Sequence, residues 1–467
     1  MANKNDVAGG HVDMPAALVW PVALGSAVSL VFLLRFPVIT VTHLDAFAYI
    51  EGALSLARGT GYADTAGDAL NHWPPGYSLL LSCFQDPLIA ARWINAVSLG
   101  AAVAALFRLS QTGGWSTAAA SGLVLALGFG FLSSIAASAM PEIMTYAIFL
   151  SACSFLLATD LKVRSAGLAA LGALPALKLV AVVFLPSALL LLIWQDGIGA
   201  VRRRLPEIAA GGVAWASTLL LLAWFNHATT GAAMPSHDQN NLSSFLTELQ
   251  RFPTEFFRAF LANWYGSIRP PMHFAAFSVV LGAAIVAFAS LRPSDQGRNF
   301  LSLGLLVLGL SWGLELVRTF YASPRLMGYG MLLIILGLAP AAASYWRWLS
   351  YAALTLAAAL ANSYLVAQFG SSDPAYRAMS MAVVPQLLDG VPVYTNSNGI
   401  LDIHTGRRTI GVQQWPSPKA PSCLLHVMLP NMDAVGTSIW KIEAPPPQWH
   451  IVADLPTARV YCSQGHE

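Results

Sequence analysis

Apolar residues fall in long unbroken runs over most of this chain and in short alternating ones near its end. The long runs are bounded by Pro, Gly, Arg or Asp and lie at about 15–38, 88–109, 116–137, 142–159, 164–177, 179–195, 207–227, 273–291, 299–317, 326–345 and 348–368. Crossing a hydrocarbon core of roughly 30 Å takes about 20 apolar residues, so the pattern predicts about eleven membrane-spanning helices. The short pair flanking Lys178 could equally be one broken helix.

From Gly370 the pattern changes. Val391–Thr395, Cys423–Leu429, Ile451–Leu455 and Ala458–Cys462 read as strands separated by Pro-rich loops such as Ala444–Pro447, while Tyr376–Leu388 has helical spacing. The expected architecture is therefore a polytopic α-helical membrane protein. Residues 1–369 form its transmembrane module, with outer loops 39–87 and 228–272, and residues 370–467 form a small carboxy-terminal α/β soluble domain.

Composition agrees with the pattern. Only 10% of residues are charged, against about 25% in a soluble globular chain, so the surface must face membrane lipid. A net charge of +2, with no basic run interleaved with aromatics, gives no footprint for nucleic acid. The first run, Pro15 to Ile39, is too long for a signal-peptide core and reads as a retained anchor.

Lys and Arg set the orientation. With the amino terminus cytoplasmic, the cytoplasmic connections hold Arg108, Lys162, Arg164, Arg202–Arg204, Arg292, Arg298 and Arg347. The opposite face then receives loop 39–87, the turn near Met140–Glu142, loop 228–272, the turn 318–325 and everything after 369. An Ala- and Leu-rich composition suggests a bacterial inner membrane, with the tail on the periplasmic side.

None of the four cysteines lies in a CxxC arrangement, so neither a zinc site nor a thioredoxin-like centre is indicated. Cys423 and Cys462 border strand-like runs in the tail. A disulfide between them and a pair of buried thiols are both open readings.

The informative polar residues gather on the outer face: Asp45, His72, Glu142, Lys178, Arg318 and Arg325. Ionisable groups beside hydrocarbon are costly and usually line a water-filled cavity or a substrate path. Asp45, in His43-Leu-Asp-Ala-Phe-Ala-Tyr49, opens a helical stretch to about Arg58 whose spacing suits a helix along the membrane surface. Capping that helix would be the simpler role for Asp45. Asn71-His-Trp-Pro-Pro-Gly-Tyr77 combines a titratable His with aromatic rings that could equally form an interfacial belt. Lys178 interrupts an apolar run with no acidic neighbour in sequence. It either snorkels to the interface or holds an anion such as phosphate, and Arg325 faces the same choice.

In order and spacing these pieces resemble the GT-C glycosyltransferases, and especially the branch of aminoarabinose transferases and protein O-mannosyltransferases. The resemblance covers most of the chain. It rests on Asp45-Ala-Phe-Ala-Tyr49 leading into Ala53–Gly61, on Trp73-Pro-Pro-Gly-Tyr77, and on Ala90-Ala-Arg92-Trp-Ile-Asn95. Met140-Pro-Glu142 looks like the family's second acidic site, Ala176-Leu-Lys178 like its basic residue, and Ser323-Pro-Arg325-Leu-Met like the Arg-bearing start of a late span. Val393-Tyr-Thr-Asn396 through Thr405-Gly-Arg407 looks like the start of the outer domain. Two departures stand out. Ala46 and Phe47 follow the loop Asp where many relatives carry a polar residue, and His72-Trp73 stands where aminoarabinose transferases carry Glu-Lys.

The resemblance implies inverting transfer of a sugar from a polyprenyl-phosphate donor to a lipid, polysaccharide or protein acceptor. Asp45 would be the base and Glu142 a second carboxylate. Lys178, Arg325 and Tyr49 would hold the donor phosphate, and His43, His72, Trp73, Tyr77 and Arg318 would line the cavity. Asp45, Glu142 and His72 could converge on a divalent metal, but nothing in the spacing demands one, so no obligatory cofactor is expected. Other classes compete. A transporter would place its charges near the midplane on broken, repeated helices, whereas these sit at one face. A ligase for lipid-linked glycans should carry a strongly basic outer loop, and loop 228–272 has only Arg251, Arg258 and Arg269.

Overall fold

In the computed structural model the described residues are 14–37, 39, 44–64, 69–70, 73–230, 295–318, 324–342, 372–395, 409–411, 415–416, 420–428 and 444–464. The expected spans 273–291 and 348–368 and the loop 231–272 lie outside them.

Among the described residues three helices are long and apolar enough to cross a membrane: Pro87–Thr112, Thr117–Ala136 and Leu205–Thr229. Several shorter apolar helices accompany them, including Val19–Arg35 and Glu142–Leu156. The chain begins with α1 (Met14–Arg35), followed by α2 (Leu44–Ala57), α3 (Gly76–Ser82) and α4 (Pro87–Thr112). Asp86 starts α4 by accepting from the backbone N–H groups of Leu88 and Ile89, with Pro87 at a position that needs no N–H. α5 (Thr117–Leu127) runs through a wide turn at Gly128–Leu132 into α6 (Ser133–Ala136). Then come α7 (Glu142–Leu156), α8 (Leu161–Ala173), α9 (Phe184–Asp196), α10 (Ile198–Arg203) and α11 (Leu205–Thr230). Two more apolar helices, α12 (Asp295–Arg318) and α13 (Pro324–Ala342), lie against each other.

The helices pack in the order α1 on α4, α4 on α7, α7 on α8, and α8 on α11. Small residues allow close approach. A Cβ on Gly172 would lie 2.5 Å from the Gly211 carbonyl oxygen, and one on Gly304 would lie 2.6 Å from that of Gly330. The outer surface of α11 is apolar and bare, with Val213, Leu220, Leu221 and Trp224 all exposed. Such a surface has no counterpart in water-soluble packing and suits lipid. At the end of α8 remote from Lys178, Arg164 grips the buried Glu207 with Nε and Nη2 at 3.1 and 2.9 Å, tying α8 to α11.

The tail opens with α14 (Ser372–Val383) and continues into a five-stranded sheet in the order β2-β1-β3-β5-β4. The strands are β1 (Val393–Thr395), β2 (Ile410–Gly411), β3 (Ser422–Val427), β4 (His450–Leu455) and β5 (Ala458–Ser463). β1 runs parallel to β2 and β3, whereas β3, β5 and β4 are antiparallel. Antiparallel register sets Cys423 directly opposite Cys462, and the two form a disulfide. This decides between the two readings that the sequence left open.

The packing adds to the reading of α2, whose spacing suits a helix lying along the membrane surface: Glu51 and Ser55 are buried along with Ala46–Ile50 and Ala53. Three hydrophobic clusters share this helix: the transmembrane core takes Ala46, Tyr49, Ile50 and Ala53, the following loop takes Ala48, and the tail takes Phe47. Its polar side is therefore covered by protein. α2 ends where Gly59, at φ +73°, lets the Thr60 N–H turn back to the Ser55 carbonyl at 3.1 Å.

Candidate active site

Three charged side chains from three separate helical segments meet at one end of the bundle. Asp45 stands in the first turn of α2 and Glu142 is the first residue of α7, where the helix dipole favours an anion. Lys178 lies where the apolar run breaks. Pro175 falls in a short 3-10 turn at Leu174–Ala176, Lys178 itself is extended at φ −147° and ψ 124°, and a second 3-10 turn at Leu179–Val183 leads into α9. This break makes two helical pieces of what could have been one span, and it turns the Lys178 side chain toward both carboxylates.

The Lys178 ammonium is 3.0 Å from Glu142 Oε1 and 3.3 Å from Asp45 Oδ2. Glu142 is fully buried, whereas Lys178 and Asp45 keep 13% and 22% of their side chains exposed. The exposed edge of the site is thus the Asp45 edge. On its other oxygen, Asp45 Oδ1 accepts from Trp73 Nε1 at 3.1 Å. A carboxylate held by an ammonium and an indole N–H has a fixed direction, as a positioned proton acceptor requires.

Beneath the charges the floor is aromatic and buried. Tyr49 is fully buried, its ring 5.9 Å from Lys178 Nζ, and its hydroxyl donates to the Leu177 carbonyl at 3.4 Å. It supports the break before Lys178 from below. Tyr77, expected in the cavity, is also fully buried: it meets Tyr49 edge-on at 5.7 Å and donates to Asn95 Oδ1 at 2.9 Å. The Asn95 amide in turn donates to the carbonyls of Ala136 and Ser138 at 2.9 and 2.7 Å, pinning the turn that leads into Glu142. Asn95 thus builds the site although the motif that carries it gives it no role of its own; an Asn inside an apolar helix is itself a signal. Arg92, one turn earlier, donates to the carbonyls of Phe36 and Leu33 and closes the end of α1.

Gly76 in the Pro-Pro-Gly turn has a packing reason. A Cβ there would lie 2.5 Å from the Ala176 carbonyl oxygen, so α3 is able to rest against the segment that presents Lys178.

Tyr329 of α13 stacks on Tyr146 of α7 with centroids 3.9 Å apart, and the Tyr329 ring also meets those of Phe149 and Phe184 at 5.6 and 4.9 Å. Tyr146 is four residues after Glu142, and Tyr329 is four residues after Arg325. One helical turn rises about 6 Å over four residues, so the Arg325 backbone stands one turn from the stack toward the amino-terminal end of α13, as Glu142 does on α7. The side chains of Arg325 and Arg318 lie outside the described residues, as do His43 and His72. A cavity of about 290 Å³ lined by Cys153, Arg164, Arg204 and Phe300 lies at the far end of α7 and takes no part in this site.

No group of three or more His, Cys, Asp or Glu suited to a metal occurs among the described residues. At Asp45 and Glu142 the Lys178 ammonium lies within 3.3 Å of both carboxylates.

No family model matches the chain, and no curated protein matches it either. Solved structures do. The apo crystal structure of ArnT from Cupriavidus metallidurans aligns with a TM-score of 0.54 at 15% identity, covering 96% of this chain and 98% of that one. The structure of ArnT from the same organism bound to undecaprenyl phosphate gives 0.50 at 14%, covering 97% and 100%. Likeness at this identity is likeness of fold: the chain has the fold of ArnT, an aminoarabinose transferase of the GT-C class.

Proposed function

We propose that this protein transfers a sugar from a polyprenyl-phosphate donor to an acceptor hydroxyl at the extracytoplasmic face of a bacterial inner membrane, with inversion at the anomeric carbon. The observation that carries the reading is the Asp45–Lys178–Glu142 cluster at one end of an apolar helical bundle of ArnT fold. A neighbour with this fold was solved bound to undecaprenyl phosphate, a lipid of the donor's leaving-group class.

Asp45 takes the proton of the acceptor hydroxyl while the oxygen attacks the anomeric carbon. The bond from that carbon to the phosphate oxygen breaks, and polyprenyl phosphate leaves with the electron pair. Phosphate is a weak base, so no general acid is needed and the second carboxylate has another task. Glu142, fully buried, holds Lys178 at the site. Lys178 moves little to meet the phosphate, and Arg325 adds a second cation. Tyr49 braces Lys178 through the Leu177 carbonyl, while Trp73 aims Asp45. Lys178 bridges the two carboxylates with its one positive charge, and we take the reaction to need no obligatory metal. The donor's isoprenoid lies among the apolar helices, so enzyme and substrate share the lipid phase, and the tail covers the cavity or selects the acceptor.

The test is transfer from a panel of radiolabelled polyprenyl-phosphate sugars to endogenous lipid, polysaccharide and protein in membranes, with the anomeric configuration of the product determined. Label in an acceptor fraction with inverted configuration supports the reading and names donor and acceptor. Absence of transfer from every polyprenyl-phosphate sugar, or retained configuration, overturns it.

A further inference from the structure

Phe47 leaves its own helix's surroundings and enters the core of the tail. It is 3% exposed and belongs to the cluster formed by Met379, Val383, Val393, Cys423, Leu425 and Val460, among others of the tail. Among the described residues it is the one member of that cluster from outside residues 372–464. Two residues before it, in the same helical turn, stands Asp45. Successive residues are about 100° apart around a helix, so Asp45 and Phe47 point to nearly opposite sides. Asp45 faces Lys178 and Phe47 faces the tail, with the transmembrane core holding Ala46, Tyr49 and Ile50 between them.

This arrangement makes the first turn of α2 a part shared by two bodies. Lys178 lies 133 residues away from Asp45 in sequence, on the break between α8 and α9, so their separation is set by how α2 is seated. The tail grips α2 through an aromatic ring at the level of Asp45. A small tilt of this turn would change the Asp45–Lys178 contact without altering the helices that hold Lys178 and Glu142.

We infer that Phe47 is a positioning residue by which the seated tail holds Asp45 in register with Lys178, so that turnover depends on the tail being docked. This rests on the glycosyltransferase reading for its kinetic part and on packing alone for its structural part. A merely structural Phe47 would change the amount of folded protein but not the properties of what folds. Positioning by about 1 Å is worth about 100-fold in rate, so a kinetic signature is expected to be large.

The experiment uses the full chain in nanodiscs, comparing wild type with F47A and F47L. Donor KM and kcat per folded molecule are measured, with amide exchange of residues 44–57 and of α4 as a reference. In F47A, kcat falls at least about tenfold with donor KM within about twofold, α2 exchanges at least about tenfold faster, and α4 is unchanged; F47L restores most of both. If F47A does not fold, F47L and F47M read the same coupling, with kcat falling in step with α2 exchange. Unchanged exchange in α2 overturns the proposal, and so does unchanged kcat per folded molecule. Should the wild type transfer no sugar, the glycosyltransferase reading fails by itself, while the exchange measurement still decides whether Phe47 ties α2 to the tail.

Discussion

The ammonium of Lys178 stands 3.3 Å from the carboxylate of Asp45, across 133 residues of chain. Because Glu142 lies 3.0 Å from the same nitrogen and is fully buried, Lys178 joins an accessible carboxylate to an inaccessible one. The pairing is energetically delicate. Asp45 and Glu142 share Lys178, so removing the lysine leaves two negative charges beside an apolar bundle without their common cation.

Lys178→Met is therefore expected to destabilise the protein by about 3–5 kcal/mol, the usual cost of breaking a buried pair from one side. Lys178→Met combined with Glu142→Gln should recover much of that loss, since the fully buried carboxylate is removed with its cation and the carboxylate that stays, Asp45, is the more exposed one, while transfer stays abolished. Thermal unfolding of the purified single and double variants, with transfer assays in parallel, separates the two effects.

Gly76→Ala should disturb the site from a distance. The new methyl would meet the Ala176 carbonyl oxygen at 2.5 Å, and backbone cannot yield as a side-chain tip does. A cost of about 1–3 kcal/mol is expected from such overpacking. Lowered transfer at unchanged membrane expression would show that the Pro-Pro-Gly turn sets the Lys178 segment. Wild-type transfer and stability would show that the contact relaxes freely.

Much of this site was legible in the chain, residue by residue, but not as a site. Asp45, Glu142 and Lys178 are visible because each interrupts or borders an apolar run, and the Lys178 interruption also foretells a broken helix. Their convergence is tertiary: no local pattern links α2 to the 3-10 turns that flank Lys178. Tyr77 illustrates the reverse. Its place beside a His and a Trp suggested a cavity wall, while its partner Asn95 on α4 keeps it in the interior. In the tail, the alternation predicted β1, β3, β4 and β5 to within about two residues of their ends. β2 is two residues long and carries too little pattern to read. Phe47 looked like an ordinary apolar position of an amphipathic helix, because its neighbours come from more than 300 residues later.

The disulfide should matter for the tail. Cys423 and Cys462 close a separation of 39 residues, and losing such a link typically costs about 2–5 kcal/mol. Cys423→Ser with Cys462→Ser, in the full chain, should raise protease sensitivity in the tail while the helical bundle resists as before. Equal protease resistance would mean that the sheet holds itself without the link.

His426 gives the tail a pH response. Burial, and secondarily the Arg459 guanidinium, hold its imidazole below the ordinary value of 6.5. The folded tail therefore binds this proton less readily than the unfolded chain does. Its contribution is fully present above the unfolded pKa and is eroded as pH falls below about 6.5. Amide protection factors across β3 and β5 should drop between pH 7.5 and 5.5 in the wild type and drop less in His426→Gln. Equal drops in both would remove His426 as the cause.

The central claim is that Asp45 accepts the acceptor's proton in a transfer from polyprenyl phosphate. Its most direct test is single-turnover transfer by the purified Asp45→Asn variant, with undecaprenyl phosphate affinity measured on the same preparation. The account predicts a loss of about 100-fold or more in rate, the usual contribution of a positioned base, with lipid affinity within a few-fold of wild type. Transfer at the wild-type rate by a variant that still binds the lipid would contradict it.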